Sequence, residues 1–339
     1  MASNPDSGTL FLLLCRLKAG QNASMKNIPH PIQYQGSKRA LAPVILRYFP
    51  KNVERLIEPF AGSAAISIAA AAHRLAQHHV INDVNKPLAE LLRTIVDQPI
   101  ELAAFYEALW EEQHGDSTEH YYQVRERFNR TQDPRLFLYM LARCVKGSVR
   151  YNSDGMFNQS PDKRRFGTQP KTMRANLIGV SRLLKGKATF SSLDYKEVFA
   201  SARKPDLIYM DPPYQGVCGD RDLRYLSGIS HDEFVGALAK LNANGISFIV
   251  SYDGRRGERV FGELLPDFLN LMRIEIEAGR SSQSTLLGRE EITYESLYLS
   301  ESLVQRLDHL PAYRPPSSIQ QYVLLEPGVQ YEKTFQRVP

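Results

Sequence analysis

From about Asn52 onward the chain alternates short apolar runs with helical stretches, and that rhythm admits few folds. Residues 55–58 (RLIE), 79–81, 188–192, 207–210, 246–251, 272–277 and 294–299 read as strands. Residues 64–75 are alanine-rich and read as a helix, with a second helix expected from Lys86 to about Val96. Strands separated by helices predict an α/β fold, a mainly parallel, doubly wound sheet with helices on both faces. The rhythm breaks between about 101 and 187, which reads as a mostly helical insert. Tyr121, Tyr122, Val124 and Phe128 stand near helical spacing there, and the chain turns polar and loop-rich from Gly147 to Gly167. The expected division is a loose extension over 1–24 that supplies no strand, a catalytic domain over 25–100 and 188–300, an insert over 101–187, and a tail over 301–339.

Charge is concentrated in the insert. From His120 to Phe190 there are 15 Lys and Arg against four Asp and Glu, an excess of 11, whereas the whole chain carries only +5. A local basic excess is an electrostatic footprint for a polyanion. Phe128, Tyr151, Phe157 and Phe166 interleave with these charges, as side chains that stack on bases do. Arg125, Arg127, Arg130 and Lys146 are the expected phosphate contacts. The three cysteines, Cys15, Cys144 and Cys218, are widely spaced and suggest neither a disulfide framework nor a zinc site. The apolar run 9–15 is too short to span a bilayer and lacks a basic lead. A cytoplasmic setting, no membrane and no metal are expected. His78 and His79 read as structural, Cys218 as no nucleophile, and Trp110 as core of the insert.

The sharpest chemical signal is Asp211-Pro212-Pro213-Tyr214, directly after the apolar strand 207–210. The amine of an adenine is a poor nucleophile because its lone pair is delocalised into the ring. A carboxylate at Asp211 and the carbonyl of Pro212 supply two acceptors that would localise that lone pair. The prolines stiffen the turn, and Tyr214 offers an aromatic face for a base flipped out of its stack. A second motif, Glu58-Pro59-Phe60-Ala61-Gly62-Ser63, places a glycine turn between strand and helix, where backbone can approach a ligand closely. Asp83 follows the next strand, well placed to accept hydrogen bonds from ribose hydroxyls. A third, Gln33-Tyr34-Gln35-Gly36-Ser37-Lys38, opens the domain with a tight basic loop.

These three motifs in this order resemble the D12-class (Dam-like) N6-adenine-specific DNA methyltransferases, from about Ile32 to Leu299. The resemblance implies an S-adenosylmethionine-dependent methyltransferase sheet with an inserted DNA-recognition domain. It implies Tyr34, Lys38, Phe60, Gly62, Asp83 and Asp194 as donor-binding positions, together with Asp211. Asp211, Pro212 and Tyr214 become the catalytic positions. Arg150-Tyr151-Asn152, with Gly155 and Phe157-Asn158, resembles the family's DNA-reading hairpin, so Arg150 and Asn152 are expected to reach base edges. Residues 159–164 (QSPDKR) interrupt the more compact pattern of better-known members. The expected activity is methylation of a flipped adenine in double-stranded DNA by a monomer, with a cognate restriction endonuclease as the further partner such a modification enzyme takes. RNA-adenine or DNA N4-cytosine methylation, or a catalytically silent DNA-binding protein of the same fold, are the alternatives. Glutamine methylation is disfavoured, since that chemistry carries Asn where Asp211 stands.

Overall fold

The computed structural model describes residues 28–213, 229–256, 259–261, 263–280 and 292–307, together with the backbone of 12–14. Among the described residues nine strands form one sheet: β1 (Leu12–Leu14), β2 (Val53–Glu58), β3 (Ala76–Asn82), β4 (Ala188–Ser191), β5 (Leu207–Met210), β6 (Ser247–Arg256), β7 (Arg259–Phe261), β8 (Met272–Arg280) and β9 (Ile292–Leu299). Their order is β4-β3-β2-β5-β6-β9-β8-β1, with β7 paired to β6. The pairings of β4 through β6 are parallel, and β9 runs antiparallel between β6 and β8. The chain leaves β2 toward β3 on one side and returns to β5 on the other. That makes the carboxyl ends of β2 and β5 the topological switch point, where ligands bind in such sheets.

Each predicted strand is present, and β6 and β8 run further than expected, to Arg256 and Arg280. The extension expected to supply no strand contributes one, since Leu12–Leu14 pair in parallel with β8. The expected tail begins with a helix, Glu301–Arg306, capped by Ser300. Arg306 fastens it to Asn52 O (2.9 Å) and Ser247 Oγ (2.9 Å).

Among the described residues, the α-helices that precede Glu301–Arg306 are α1 (Ala42–Ile45), α2 (Ala65–Ala72), α3 (Lys86–Asp97), α4 (Pro99–Glu112), α5 (Ser117–Thr131), α6 (Pro134–Arg143), α7 (Pro170–Leu184), α8 (Tyr195–Ala200) and α9 (His231–Ala243). Their starts follow from the sequence. Asn85 caps α3, Asp116 caps α5 and Asp133 caps α6, each accepting from backbone N–H groups in the first turn. Strand alternation sorts the core into two faces. Leu56, Leu207, Tyr209 and Ile249 join one cluster; Ile57, Ile208, Met210, Phe248 and Val250 join the other, beneath α8 and α9.

The helical stretch expected as an insert has no core of its own. Tyr106, Tyr121, Phe128, Phe137 and Met173 belong to the same continuous cluster as Leu56 and Ile81. Helix α7 packs on α2 and α3, and Ser181 Oγ donates to Val96 O at 2.6 Å. Residues 99–169 therefore extend the helical layer outward. Phe128, Tyr151 and Phe157, expected among the charges as stacking surfaces, are buried in that core, and only Phe166 of the four is exposed. Trp110 packs at the edge of the cluster. Burial pushes the Cys144 thiol up to about 12 and holds His79 down at about 4, with neighbouring positive charge adding to the latter. None of the described helices is long and apolar enough to cross a membrane.

Candidate active site

A cleft of ≈ 520 Å³ opens at the switch point. The sequence-predicted residues Tyr34, Lys38, Phe60, Gly62, Asp83, Asp194, Asp211 and Pro212 all line it. Tyr214 and Cys218 lie outside the described residues.

The glycine turn is built around a close approach. Gly62 has φ +50°, and a Cβ there would meet the Tyr34 ring at 3.0 Å. Ser37 and Ser63 share a hydrogen bond of 2.9 Å, which ties the opening motif to this turn. Asp83 accepts from Gly62 N and from Asn85 N, each at 2.9 Å. A carboxylate has about four lone-pair sites, so these bonds orient it and leave capacity for a ligand hydroxyl. Burial raises the Asp83 pKa above its ordinary value, against the two backbone N–H donors.

Asn82, one residue earlier, is a clamp the sequence did not announce. Its Nδ2 donates to Pro59 O and Leu193 O, both at 3.0 Å, while its Oδ1 accepts from Leu193 N at 2.8 Å. That fixes the glycine turn against the segment bearing Asp194, which caps α8 by accepting from Lys196 N at 2.8 Å. The Phe60 ring lies 5.4 Å from Tyr195 and 6.3 Å from Phe234, forming an aromatic wall. The Tyr195 and Tyr209 hydroxyls, both from cleft-lining residues, are buried without a hydrogen-bond partner among the described residues.

Ionic groups gather at the end of β5. Lys38 Nζ stands 3.0 Å from Asp211 Oδ1 and 3.3 Å from Glu295 Oε2. Burial pushes the Asp211 carboxyl up to about 6; Lys38 opposes this and Glu295 adds to it. Glu58, at the end of β2, is buried and accepts from Ser67 N at 2.9 Å. Burial, with help from Asp211, raises it to about 7. Glu58 and Glu295 were not singled out in the sequence. Glu58 opens the glycine motif but sits at a strand end, and Glu295 reaches Lys38 only through sheet pairing. Among the described residues no group of three His, Cys, Asp or Glu has metal-binding geometry.

The hairpin is present. Tyr151 and Phe157 form an antiparallel bridge, and the turn passes through Gly155 at φ +72°. The buried Tyr151 hydroxyl meets Asn85 Nδ2 at 3.0 Å, so the hairpin base sits beside Asp83 at the cleft wall. The predicted DNA contacts divide. Arg127, Arg130, Lys146 and Arg150 are exposed. Arg125 is half-buried over the Tyr122 ring and donates to Asn158 O (3.3 Å) and Gln159 O (3.4 Å). Asn152 spends its Oδ1 on closing the turn, accepting from Asp154 N (3.1 Å) and Met156 N (2.8 Å).

A family model of the D12 class N6 adenine-specific DNA methyltransferases matches residues 34–278. The chain belongs to that family. It is 25% identical over 260 residues to the DNA N-6-adenine-methyltransferase of Escherichia phage P1, covering 71% of this chain and 33% of that protein. It is 29% identical over 245 residues to modification methylase StsI of Streptococcus sanguinis, covering 68% and 36% respectively. With the DNA adenine methylase of Salmonella typhi it is 31% identical over 189 residues, 54% of this chain and 64% of that one. The match spans less than two thirds of the length of each of these relatives. The family match runs through the opening motif, the glycine turn, the hairpin and the Asp211 turn alike.

Proposed function

We propose that the chain methylates the N6 amino group of adenine in double-stranded DNA, using S-adenosylmethionine. The observation that carries this reading is the convergence of Asp211, Lys38, Gly62 and Asp83 on one cleft at the switch point. The cleft fits such a donor. Five lining carboxylates, Glu58, Asp83, Asp194, Asp211 and Glu233, outnumber the ammonium groups of Lys38 and Lys196, which suits a cationic ligand. The Phe60 and Tyr195 rings suit a nucleobase, and the Tyr195 and Tyr209 hydroxyls, unpaired among the described residues, are polar groups for a ligand to satisfy. When bound, S-adenosylmethionine supplies an electrophilic methyl on a sulfonium.

The residues then divide the work. Gly62 and Tyr34 admit the donor against bare backbone, Asp83 holds its ribose hydroxyls, and Asp194 reads its adenine. Asp211 and the Pro212 carbonyl accept hydrogen bonds from the target amine and localise its lone pair. The ionised carboxylate is the stronger acceptor, so activity should fall as pH drops through about 6, where Asp211 takes up a proton. Tyr214 stacks on the flipped base, worth about 1–3 kcal/mol. Arg127, Arg130 and Lys146 hold phosphates, and Arg150 reaches a base edge. A cognate restriction endonuclease would be a functional partner. Transfer of a labelled methyl group to DNA, RNA and protein offered in parallel tests the reading. Label in duplex DNA as N6-methyladenine is the expected result; label confined to RNA, to protein or to cytosine N4 would overturn it.

A further inference from the structure

Behind Asp211 stands a carboxylate that the chemistry above leaves unused. Glu295 lies on β9, two places from β5 in the sheet. Strand alternation puts it on the same face as Leu297 and Leu299, the face that also carries Glu58, Tyr209 and Asp211. Its Oε2 accepts from Ser251 Oγ at 3.2 Å and lies 3.3 Å from Lys38 Nζ. The same Nζ lies 3.0 Å from Asp211 Oδ1. One ammonium is thus shared by two carboxylates, and the side chains of Lys38, Asp211 and Glu295 are only 9%, 23% and 20% exposed.

The surroundings of this trio are specific. From β2 comes Glu58, and from β5 come Tyr209 and Asp211. From β6 comes Ser251, and β8 presents the apolar Ile274 and Ile276. Asp253 and Arg255 of β6 and Arg273 and Glu275 of β8 turn to the opposite face. Asp253 and Arg273 pair there at 2.6 Å with Ser296 and Tyr298, and Arg255 pairs with Glu275 at 3.1 Å. Glu295 is therefore the carboxylate of β9 that faces the lysine held against Asp211.

We infer that Glu295 is a positioning residue for methyl transfer, holding Lys38 between two carboxylates so that Asp211 remains a strong hydrogen-bond acceptor for the target amine. The inference rests on the adenine-methylating reading above. A lysine paired with Asp211 alone would draw its charge inward and weaken it as a base. Sharing that lysine with Glu295 relaxes the pull while keeping Asp211 oriented. Ser251 fixes Glu295 in turn, so the arrangement is set by the sheet.

The test measures the methyl-transfer rate of the full chain on unmethylated duplex DNA, at saturating donor and DNA, between about pH 5 and 9. Glu295→Gln keeps the shape and removes the charge. Its acid limb should move down by roughly one pH unit, and its maximal rate should fall about tenfold. DNA affinity should be unchanged. Glu295→Asp keeps the charge but withdraws it from Lys38, so its limb should move in the same direction by less. Either variant alone tests the sign. An acid limb that stays in place or moves up in a folded variant, whatever the loss of rate, would make Glu295 merely structural and overturn the inference. A wild-type chain that methylates no adenine would instead remove the functional reading on which it rests.

Discussion

The cleft and the hairpin are neighbours joined through Tyr151 and Asn85, yet they are built on opposite principles. In the cleft, function is fixed by backbone. Strand ends place Glu58 and Asp211, Gly62 holds a left-handed φ against Tyr34, and Asp83 is gripped by two amide groups. On the hairpin face, function hangs on side chains whose freedom varies from one to the next. Arg150 and Lys146 are exposed, whereas Arg125 and Asn152 are already spent on the local fold. Residue type at a strand end thus says much about role, and residue type on a basic surface says little until its partners are known.

The contrast breaks most readily at Gly62. Gly62→Val must adopt a left-handed φ and push the Tyr34 ring, a combined cost of about 2–5 kcal/mol. Donor affinity measured by calorimetry should fall by at least about 30-fold, while DNA affinity holds. At the hairpin tip, Asp154→Ala should leave donor affinity within experimental error. Equal losses from both substitutions would erase the distinction.

Glu58 sharpens the contrast through pH. Its carboxyl is held at about 7 against an ordinary 4.5, chiefly by burial. Between those values the native chain keeps a proton that the unfolded chain has released. Stability therefore falls as pH rises through that window, and the deficit is complete above about pH 7. Glu58→Gln should raise stability by about 3 kcal/mol at pH 8 and leave it unchanged near pH 4, as read from denaturant unfolding at both values.

The smallest effects separate the arginines. Arg127→Ala, Arg130→Ala and Lys146→Ala should each reduce the salt dependence of DNA binding by roughly one counterion, whereas Arg150→Ala should relax the choice of base at one position of the methylated site. Arg125→Ala should cost about 1 kcal/mol of stability through its lost backbone acceptors and leave the salt slope in place. A slope lowered by Arg125→Ala alone would invert the assignment.

This division also explains what was legible in the chain. The strands were readable because apolar runs bounded by turns carry their own signal, and the cleft residues followed because they sit at strand ends beside Gly62 and Asp83. Glu295 was invisible because it reaches Lys38 only through the pairing of β9 with β6, a contact spanning most of the sequence. The strand–helix rhythm breaks at about 101, whereas the core runs on unbroken through Tyr106 and Phe137, a continuity that the order of residues does not display. The aromatics of the basic region looked like stacking surfaces because sequence shows neighbours in order and hides the layer beneath. Phe128, Phe137 and Phe157 pack on one another, with Phe128 and Phe137 stacked at 4.9 Å.

The central claim is that Asp211 at the end of β5 accepts the hydrogen bond of an adenine amine in DNA. Its most direct test is to map methylated bases in DNA exposed to the wild-type chain and to a folded Asp211→Ala variant that still binds the donor. The account predicts N6-methyladenine at defined sites with the wild type and none with the variant. N4-methylcytosine from the wild type, or adenine methylation by the variant at an undiminished rate, would contradict it.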